Sequence, residues 1–319
     1  MNLDFSDLHI LVIGDSMIDK FVHGRSERLS PEAPVPVMLP EREEYNLGGA
    51  ANVVCNLLEL GAKASLISLV GEDDEGKLLR KLLDEKPVDS FHLQVDSSRK
   101  TTTKTRLIIN EKQVLRIDQE DTHEIEKEQE NLILEAISAY FSDKNYDAVI
   151  LQDYNKGILT EHLITSCITI CNSKNIPVLV DPKHNHFFSF EGCEVFKPNI
   201  KELRHILQED IEITKDALDL AIAKVREQIS CKIIIVTLSD KGAYYHDGQS
   251  SGIIATEILK SVDVSGAGDT FISMFCLLFS KKHSLHKALE ISNLTAGIAC
   301  TKANVVAINL SEVSKLIRS

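Results

Sequence analysis

Apolar residues gather in short blocks of four to seven, separated by longer stretches in which they recur every three or four positions. Residues 8–13 (Leu-His-Ile-Leu-Val-Ile) form one such block. Gly14-Asp15 closes it, so it reads as a buried strand ending in a site loop. Blocks at 64–70, 148–152, 178–180, 194–196 and 233–237 predict further buried strands. Helical spacing runs over 49–61, 74–85, 124–142, 160–174, 199–208 and 214–228, and another apolar helical run starts at Phe271. Alternation of this kind predicts parallel crossover units: an α/β fold whose mostly parallel sheet is covered on both faces. Ligands of such sheets bind beyond the carboxyl ends of the strands. Asp15, Asp153, Asp181 and Asn199 each follow a strand block and are expected along one rim.

Two segments break the alternation. Residues 17–45 hold Pro31-Glu-Ala-Pro-Val-Pro36 and show no helical period. Residues 101–119 read as a hairpin: strands over 102–109 and 113–118, with a turn at Asn110-Glu111. Together they predict a small β lid laid over the rim and inserted into a single domain spanning 1–319. Edge strands either stay short and charged or pair with another copy, so a homodimer through the lid is expected.

Composition narrows the classes. A chain of 319 residues, 43% hydrophobic and 26% charged, can bury a large core. Its net charge of −13 argues against nucleic acid as a partner, because a phosphate polymer needs a basic face. An anionic ligand must then be held by local cations or backbone amides. Cysteines 55, 167, 171, 193, 231, 276 and 300 form no CxxC pair, and no His-rich cluster offers a metal cage. Reduced thiols and a cytoplasmic location fit that pattern. Asp4 and Asp7 precede the first apolar run with no basic residue, so no signal peptide is expected. No apolar stretch approaches the roughly 20 residues that span a bilayer, and no membrane partner is expected.

The chemistry concentrates near the C-terminus, where 263–270 reads Asp-Val-Ser-Gly-Ala-Gly-Asp-Thr ahead of an apolar helix. Two glycines around a small residue let N–H groups converge on an anion at a helix mouth. A carboxylate there, Asp269, makes sense as a base that takes a hydroxyl proton while the amides of Gly266, Ala267 and Gly268 stabilise a transferring phosphoryl group. The simpler reading is that Asp269 only caps the helix. Gly48-Gly49-Ala50-Ala51-Asn52 opens the first long helix: the glycines permit close approach of a ligand, and Asn52 offers a donor and an acceptor to a polyol. It also reads as close helix packing. Asp15 and Asp19 can accept paired sugar hydroxyls, or cap turns. Asn199 and Glu202 have capping-box spacing, which is compatible with holding a hydrated Mg²⁺ through oxygen atoms. Thr237-Leu-Ser-Asp-Lys-Gly242 joins two strands through a glycine turn and by itself says little.

This set, in this order and across essentially the whole chain, resembles the ribokinase-like sugar kinases of the PfkB family. Within it, six stretches look like heptose-7-phosphate kinases: Arg28-Leu-Ser-Pro-Glu-Ala-Pro-Val-Pro36, Gly48-Gly-Ala-Ala-Asn52, Thr103-Lys-Thr-Arg106, Leu115-Arg-Ile-Asp118, Asp153-Tyr-Asn-Lys-Gly157 and Asp181-Pro-Lys183. Some heptose kinases carry a fused nucleotidyltransferase domain. This chain ends about fifty residues beyond its Gly-Ala-Gly-Asp motif, so the single-function kinase is expected. Two departures stand out. Ser265 stands where the family usually has Thr, and Thr301-Lys-Ala-Asn-Val305 carries Asn304 where related kinases often have Gly. Asn can adopt left-handed geometry in its place.

The resemblance implies transfer of the γ-phosphoryl group of ATP to the anomeric hydroxyl of D-glycero-D-manno-heptose 7-phosphate. Asp269 would be the base, with Gly266, Ala267 and Gly268 as the anion hole. Asp15, Gly48, Gly49 and Asn52 would hold the sugar. Arg106, Arg116, Lys156 and Lys183 are the candidate cations for its phosphate. Asn199 and Glu202 would order Mg²⁺ through water, and Thr237, Ser239, Gly242, Asp263, Ser265 and Asn293 would line the nucleotide. The same motifs admit another acceptor, such as fructose 1-phosphate or a nucleoside, and more remotely a non-catalytic sensor on a kinase scaffold.

Overall fold

β1 (His9–Gly14) shows how the sheet is built: Ile10 and Val12 enter the core on one side, Leu11 and Ile13 the core on the other. Alternation along a strand buried on both faces requires a continuous apolar run. That is why this block, and the fully buried β8 (Ala148–Gln152) and β9 (Val178–Asp181), could be read from sequence. The computed structural model describes residues 3–256, 262–302 and 304–317.

In chain order, β2 (Ser16–Arg25) and β3 (Leu39–Gly49) follow β1 and lead into α1 (Ala50–Glu59). Next come β4 (Lys63–Gly71), α2 (Asp74–Asp84), β5 (Ser90–Asp96), β6 (Thr103–Ile109), β7 (Lys112–Gln119) and α3 (Lys127–Asp143). After β8 the chain runs through α4 (Glu161–Ser173), β9, β10 (Val195–Phe196), α5 (Ile200–Leu207), α6 (Lys215–Arg226) and β11 (Ile233–Thr237). It closes with β12 (Ala243–His246), β13 (Ser251–Ile254), α7 (Ala267–Ser280), α8 (Leu285–Cys300) and α9 (Leu310–Ile317). Among the described residues the large sheet has nine strands in the order β13-β12-β11-β10-β9-β8-β1-β4-β5. The pairings from β5 across to β11 are parallel, whereas β11–β12 and β12–β13 are antiparallel, so among the described residues β12 alone runs against the rest of the sheet. One apolar core packs α1, α7 and α8 on one face, and the other packs α3, α4 and α6 on the opposite face. This is the mostly parallel, doubly covered α/β sheet expected.

β2, β3, β6 and β7 form a separate sheet in the order β3-β2-β6-β7. The predicted hairpin is present, with Asn110 and Glu111 at φ 49° and 65°, the left-handed pair that a two-residue hairpin turn needs. Segment 17–45 resolves into two strands with an irregular span between them. Arg28, Leu29 and Ser30 there bond back to 35–37. β5 had no distinct apolar block, since only Leu93 and Asp96 along it are buried.

Candidate active site

α7 begins at Ala267, with Gly266 as its N-cap at φ 77°. A Cβ on Gly266 would lie 3.0 Å from Nδ2 of Asn52 and 3.1 Å from Cγ1 of Val305, so both conformation and space demand glycine there. Asp269 therefore sits inside the first turn, and the alternative that it is the cap is corrected: Gly266 holds that position. The amides of Gly268 and Asp269 belong to the turn that has no intrahelical acceptors, whereas that of Ala267 donates to Val264 O at 3.4 Å.

The Asp269 carboxylate does not open onto solvent; the residue is 3% exposed. Oδ2 accepts from Nδ2 of Asn52 at 2.7 Å. Oδ1 accepts from the Tyr154 hydroxyl at 2.7 Å and from Nε2 of Gln152 at 3.2 Å. Burial pushes its pKa up to about 6, against the Asn52 and Tyr154 donors, which favour the ionised form. The carboxylate is thus poised near neutrality, as a general base requires. Asn52 is itself fixed by Asn56, whose Nδ2 donates to Asn52 O and Oδ1, while the Thr270 hydroxyl donates to Asn56.

Beside the helix mouth lies a cation that sequence reasoning passed over. Lys197 is 3% exposed and pairs with Oδ1 of Asp181 at 3.0 Å. A Cβ on Gly268 would stand 3.8 Å from Oδ2 of Asp181 and 3.9 Å from Nζ of Lys197, so this ion pair borders the amides of the Gly-Ala-Gly turn. Its signal was the Lys197-Pro198 pair just ahead of Asn199. Tyr154 and Gln152 were also missed, although Tyr154 lies inside the Asp-Tyr-Asn-Lys-Gly stretch. Their roles depend on β8 and α7 ending side by side, which no local pattern states.

Asp15 occupies the rim. It accepts from the amides of Tyr154, Lys156 and Ile158, and its residue is 2% exposed. In this structure it clamps the loop after β8. Asp153 accepts from the amides of Asn155 and Lys183. Burial and the nearby Asp15 carboxylate push its pKa up to about 7. Asp19, on β2, instead pairs with a cation, Arg106, whose guanidinium also lies 5.1 Å from the centre of the Phe21 ring. Gly48 leaves room for that carboxylate, since a Cβ would meet Asp19 Oδ2 at 2.4 Å. Gly49, at φ 60°, lets Ala50 N reach Asp15 O at 2.9 Å.

The other predicted cations are spread out. Arg116 lies on the exposed β7 and pairs with Asp118. Lys156 pairs with Glu120 at 2.9 Å, and Lys104 bridges Asp118 and Glu120. Lys183 pairs with Glu202 and sits 5.2 Å from the Tyr154 ring centre. Burial lowers its pKa, but the neighbouring Asp181 and Glu202 outweigh that and hold it up to about 12.

Asn199 and Glu202 form the expected capping box on α5. Asn199 Oδ1 takes the amides of Lys201 and Glu202, and Glu202 Oε2 takes that of Asn199. Each oxygen of the Glu202 carboxylate has one partner and keeps a second lone pair. Asn199 Oδ1 is filled by its two amides, so the acceptor capacity left in the pair is on Glu202. Among the described residues no group of three or more His, Cys, Asp or Glu side chains could cage a metal. Thr237 adjoins Asn199, its amide donating to Pro198 O at 3.1 Å. Ser239 and Gly242 form the turn into β12, and Asp263 accepts from the Ser265 amide and shapes the loop before α7. Asn293, on α8, donates to Ile254 O at 3.0 Å and lines a cavity of about 320 Å³ with Thr256, Lys287, Glu290 and Leu294. Asn304 adopts φ 68°, the left-handed geometry expected of it.

The sequence pattern of the pfkB family of carbohydrate kinases matches residues 7–311. The bifunctional protein HldE of Sulfurimonas denitrificans is 38% identical over 306 residues, covering 96% of this chain and 63% of that protein. HldE of Syntrophotalea carbinolica is 37% identical over 309 residues, covering 96% and 62%. The chain thus spans just under two thirds of the length of these relatives. Among solved structures, a putative ribokinase from Agrobacterium tumefaciens superposes with a TM-score of 0.76 at 20% identity, covering 98% of this chain and 97% of the other. Phosphofructokinase-2 from Escherichia coli gives 0.78 at 17% identity, covering 98% of both chains. These likenesses show a shared ribokinase-like fold.

Proposed function

Since the chain belongs to the pfkB family of carbohydrate kinases, we propose that it transfers the γ-phosphoryl group of ATP to the anomeric hydroxyl of D-glycero-D-manno-heptose 7-phosphate. The observation that carries the reading is a buried carboxylate, Asp269, held near neutrality inside the first turn of a helix whose glycine cap leaves amides for an anion. Asp269 takes the proton of the attacking hydroxyl. The amides of the helix mouth at Gly268, with Lys197 beside it, meet the charge that develops on the transferring group, whereas the Ala267 amide, expected in that role, is turned to Val264 O. Positioning and electrostatics carry the rate, and little covalent work falls to the protein.

In this reading Asp15, Asn52 and Asp19 would meet sugar hydroxyls, and Arg106 and Lys156 the sugar's own phosphate. The heptose assignment draws on the likeness to HldE and on the six heptose-kinase-like stretches. Glu202 and Asn199 would hold Mg²⁺ through water. The ion would supply charge neutralisation to the nucleotide phosphates. The cavity beside Asn293 has room for the nucleotide base. Segments 17–45 and 101–119 act as a lid on a single kinase domain, keeping water from the transfer. Along β7 every residue is exposed, with Leu115 at 53% and Ile117 at 50%. Those two side chains lie on the sheet face opposite Arg116 and Asp118, and we assign that edge as the contact between two copies.

Incubation with MgATP and the heptose phosphate, followed by ³¹P spectroscopy, tests the assignment. A new anomeric phosphate signal is expected. Robust phosphorylation of fructose 1-phosphate or a nucleoside, with none of the heptose phosphate, would replace the acceptor. No ATP consumption with any acceptor would favour a sensor. Light scattering that reports a monomer at micromolar concentration would overturn the lid-mediated dimer.

A further inference from the structure

Gln152 ends β8 and is 1% exposed. Its Nε2 donates to Asp181 Oδ2 at 3.1 Å and to Asp269 Oδ1 at 3.2 Å. One amide nitrogen carries two hydrogens, and two carboxylates take them. Turned over, the amide would set its oxygen against both carboxylates, so charge alone fixes its orientation. The consequence is visible: Oε1 is buried with no hydrogen-bond partner among the described residues. An unsatisfied buried acceptor is uncommon in native interiors, and here it accompanies a contact to the base of the transfer reaction.

We propose that Gln152 is a positioning residue for phosphoryl transfer, whose single amide separates the Asp181 and Asp269 carboxylates and holds Asp269 ready to accept a proton. The inference rests on the kinase reading above. The charged and titratable groups around Asp269 come from several elements. Tyr154 follows β8, Asp181 ends β9 and Lys183 follows it, Lys197 follows β10, and Asp19 lies on β2. Lys197 is committed to Asp181 and Lys183 to Glu202. Neither lysine forms an ion pair with Asp269, whose side-chain hydrogen bonds among the described residues come from three neutral donors. A donor to the charged form favours that form, and Gln152 is the one of the three that also reaches Asp181.

Gln152→Met keeps the length and removes both N–H groups. The acid limb of the kcat/KM profile should rise by about one pH unit, with KM for MgATP unchanged. A ¹³C carboxyl titration of aspartate-labelled protein should show the same rise for Asp269, its resonance identified by its loss in Asp269→Asn. This titration needs no substrate. A wild type that phosphorylates no acceptor would therefore remove the kinase reading while the resonance still judges Gln152. Should Gln152→Met not fold, Gln152→Asn, one carbon shorter and unable to bridge both carboxylates, should give a smaller rise. An Asp269 midpoint that stays put in the folded variant, even with turnover reduced, would sink the proposal and leave Gln152 a packing residue.

Discussion

Replacing Asp269 with Asn should make the protein slower and, at neutral pH, more stable. Burial raises the folded-state pKa to about 6 from the ordinary 3.8. The ionised carboxylate therefore opposes folding by about 3 kcal/mol once the pH exceeds 6. The penalty is absent below about pH 4, builds between about 4 and 6, and is complete above. Asparagine removes that penalty but brings its own. Its oxygen can keep the Tyr154 and Gln152 donors, and its NH₂ then confronts the Asn52 NH₂. Losing that hydrogen bond costs about 1–1.5 kcal/mol, which leaves a net gain of about 1–2 kcal/mol at pH 7–8. Urea denaturation of both proteins at pH 8 and pH 4 checks it: the variant should be ahead at pH 8 and behind or level at pH 4. Turnover should drop about 10²–10⁴-fold, the scale of a lost general base. Near-normal turnover in a folded variant would remove Asp269 from the mechanism. A variant less stable at pH 8 than at pH 4, relative to wild type, would refute the burial argument.

In the wild type, kcat/KM should fall about tenfold per pH unit below pH 6, because only the ionised carboxylate accepts a proton; a flat acid side would contradict the assigned base. Arg106→Ala strands the buried Asp19 carboxylate. It should destabilise the fold by about 3–5 kcal/mol and raise KM for the sugar phosphate with KM for ATP little changed, as steady-state kinetics and thermal melts would show. Gly266→Ala forces a side chain into φ 77° against Asn52 and Val305, so about 1–3 kcal/mol of stability and most turnover should be lost together, measurable in the same two assays.

Much of the architecture was legible because a strand buried on both faces admits only apolar residues. β1, β8, β9 and β11 announce themselves for that reason, as does the Asn110-Glu111 turn through its demand for left-handed geometry. β5 did not, since it sits at the sheet edge where few of its residues are buried. The Gly-Ala-Gly-Asp run marked the helix mouth and its carboxylate for an equally local reason: cap geometry is dictated by adjacent residues. Which groups surround that carboxylate was settled elsewhere. Asn52 lies 217 positions away, Tyr154 115 and Gln152 117, and they meet Asp269 only because α1, β8 and α7 converge on one rim. Likewise, nothing local separates Asp15, spent on the amides of 154–158, from Asp19, paired with Arg106. Both are aspartates that follow the first strand block in the sequence. A carboxylate's role depends on which donors the folded chain brings to it and on how much water it leaves there, and both are properties of packing between distant segments.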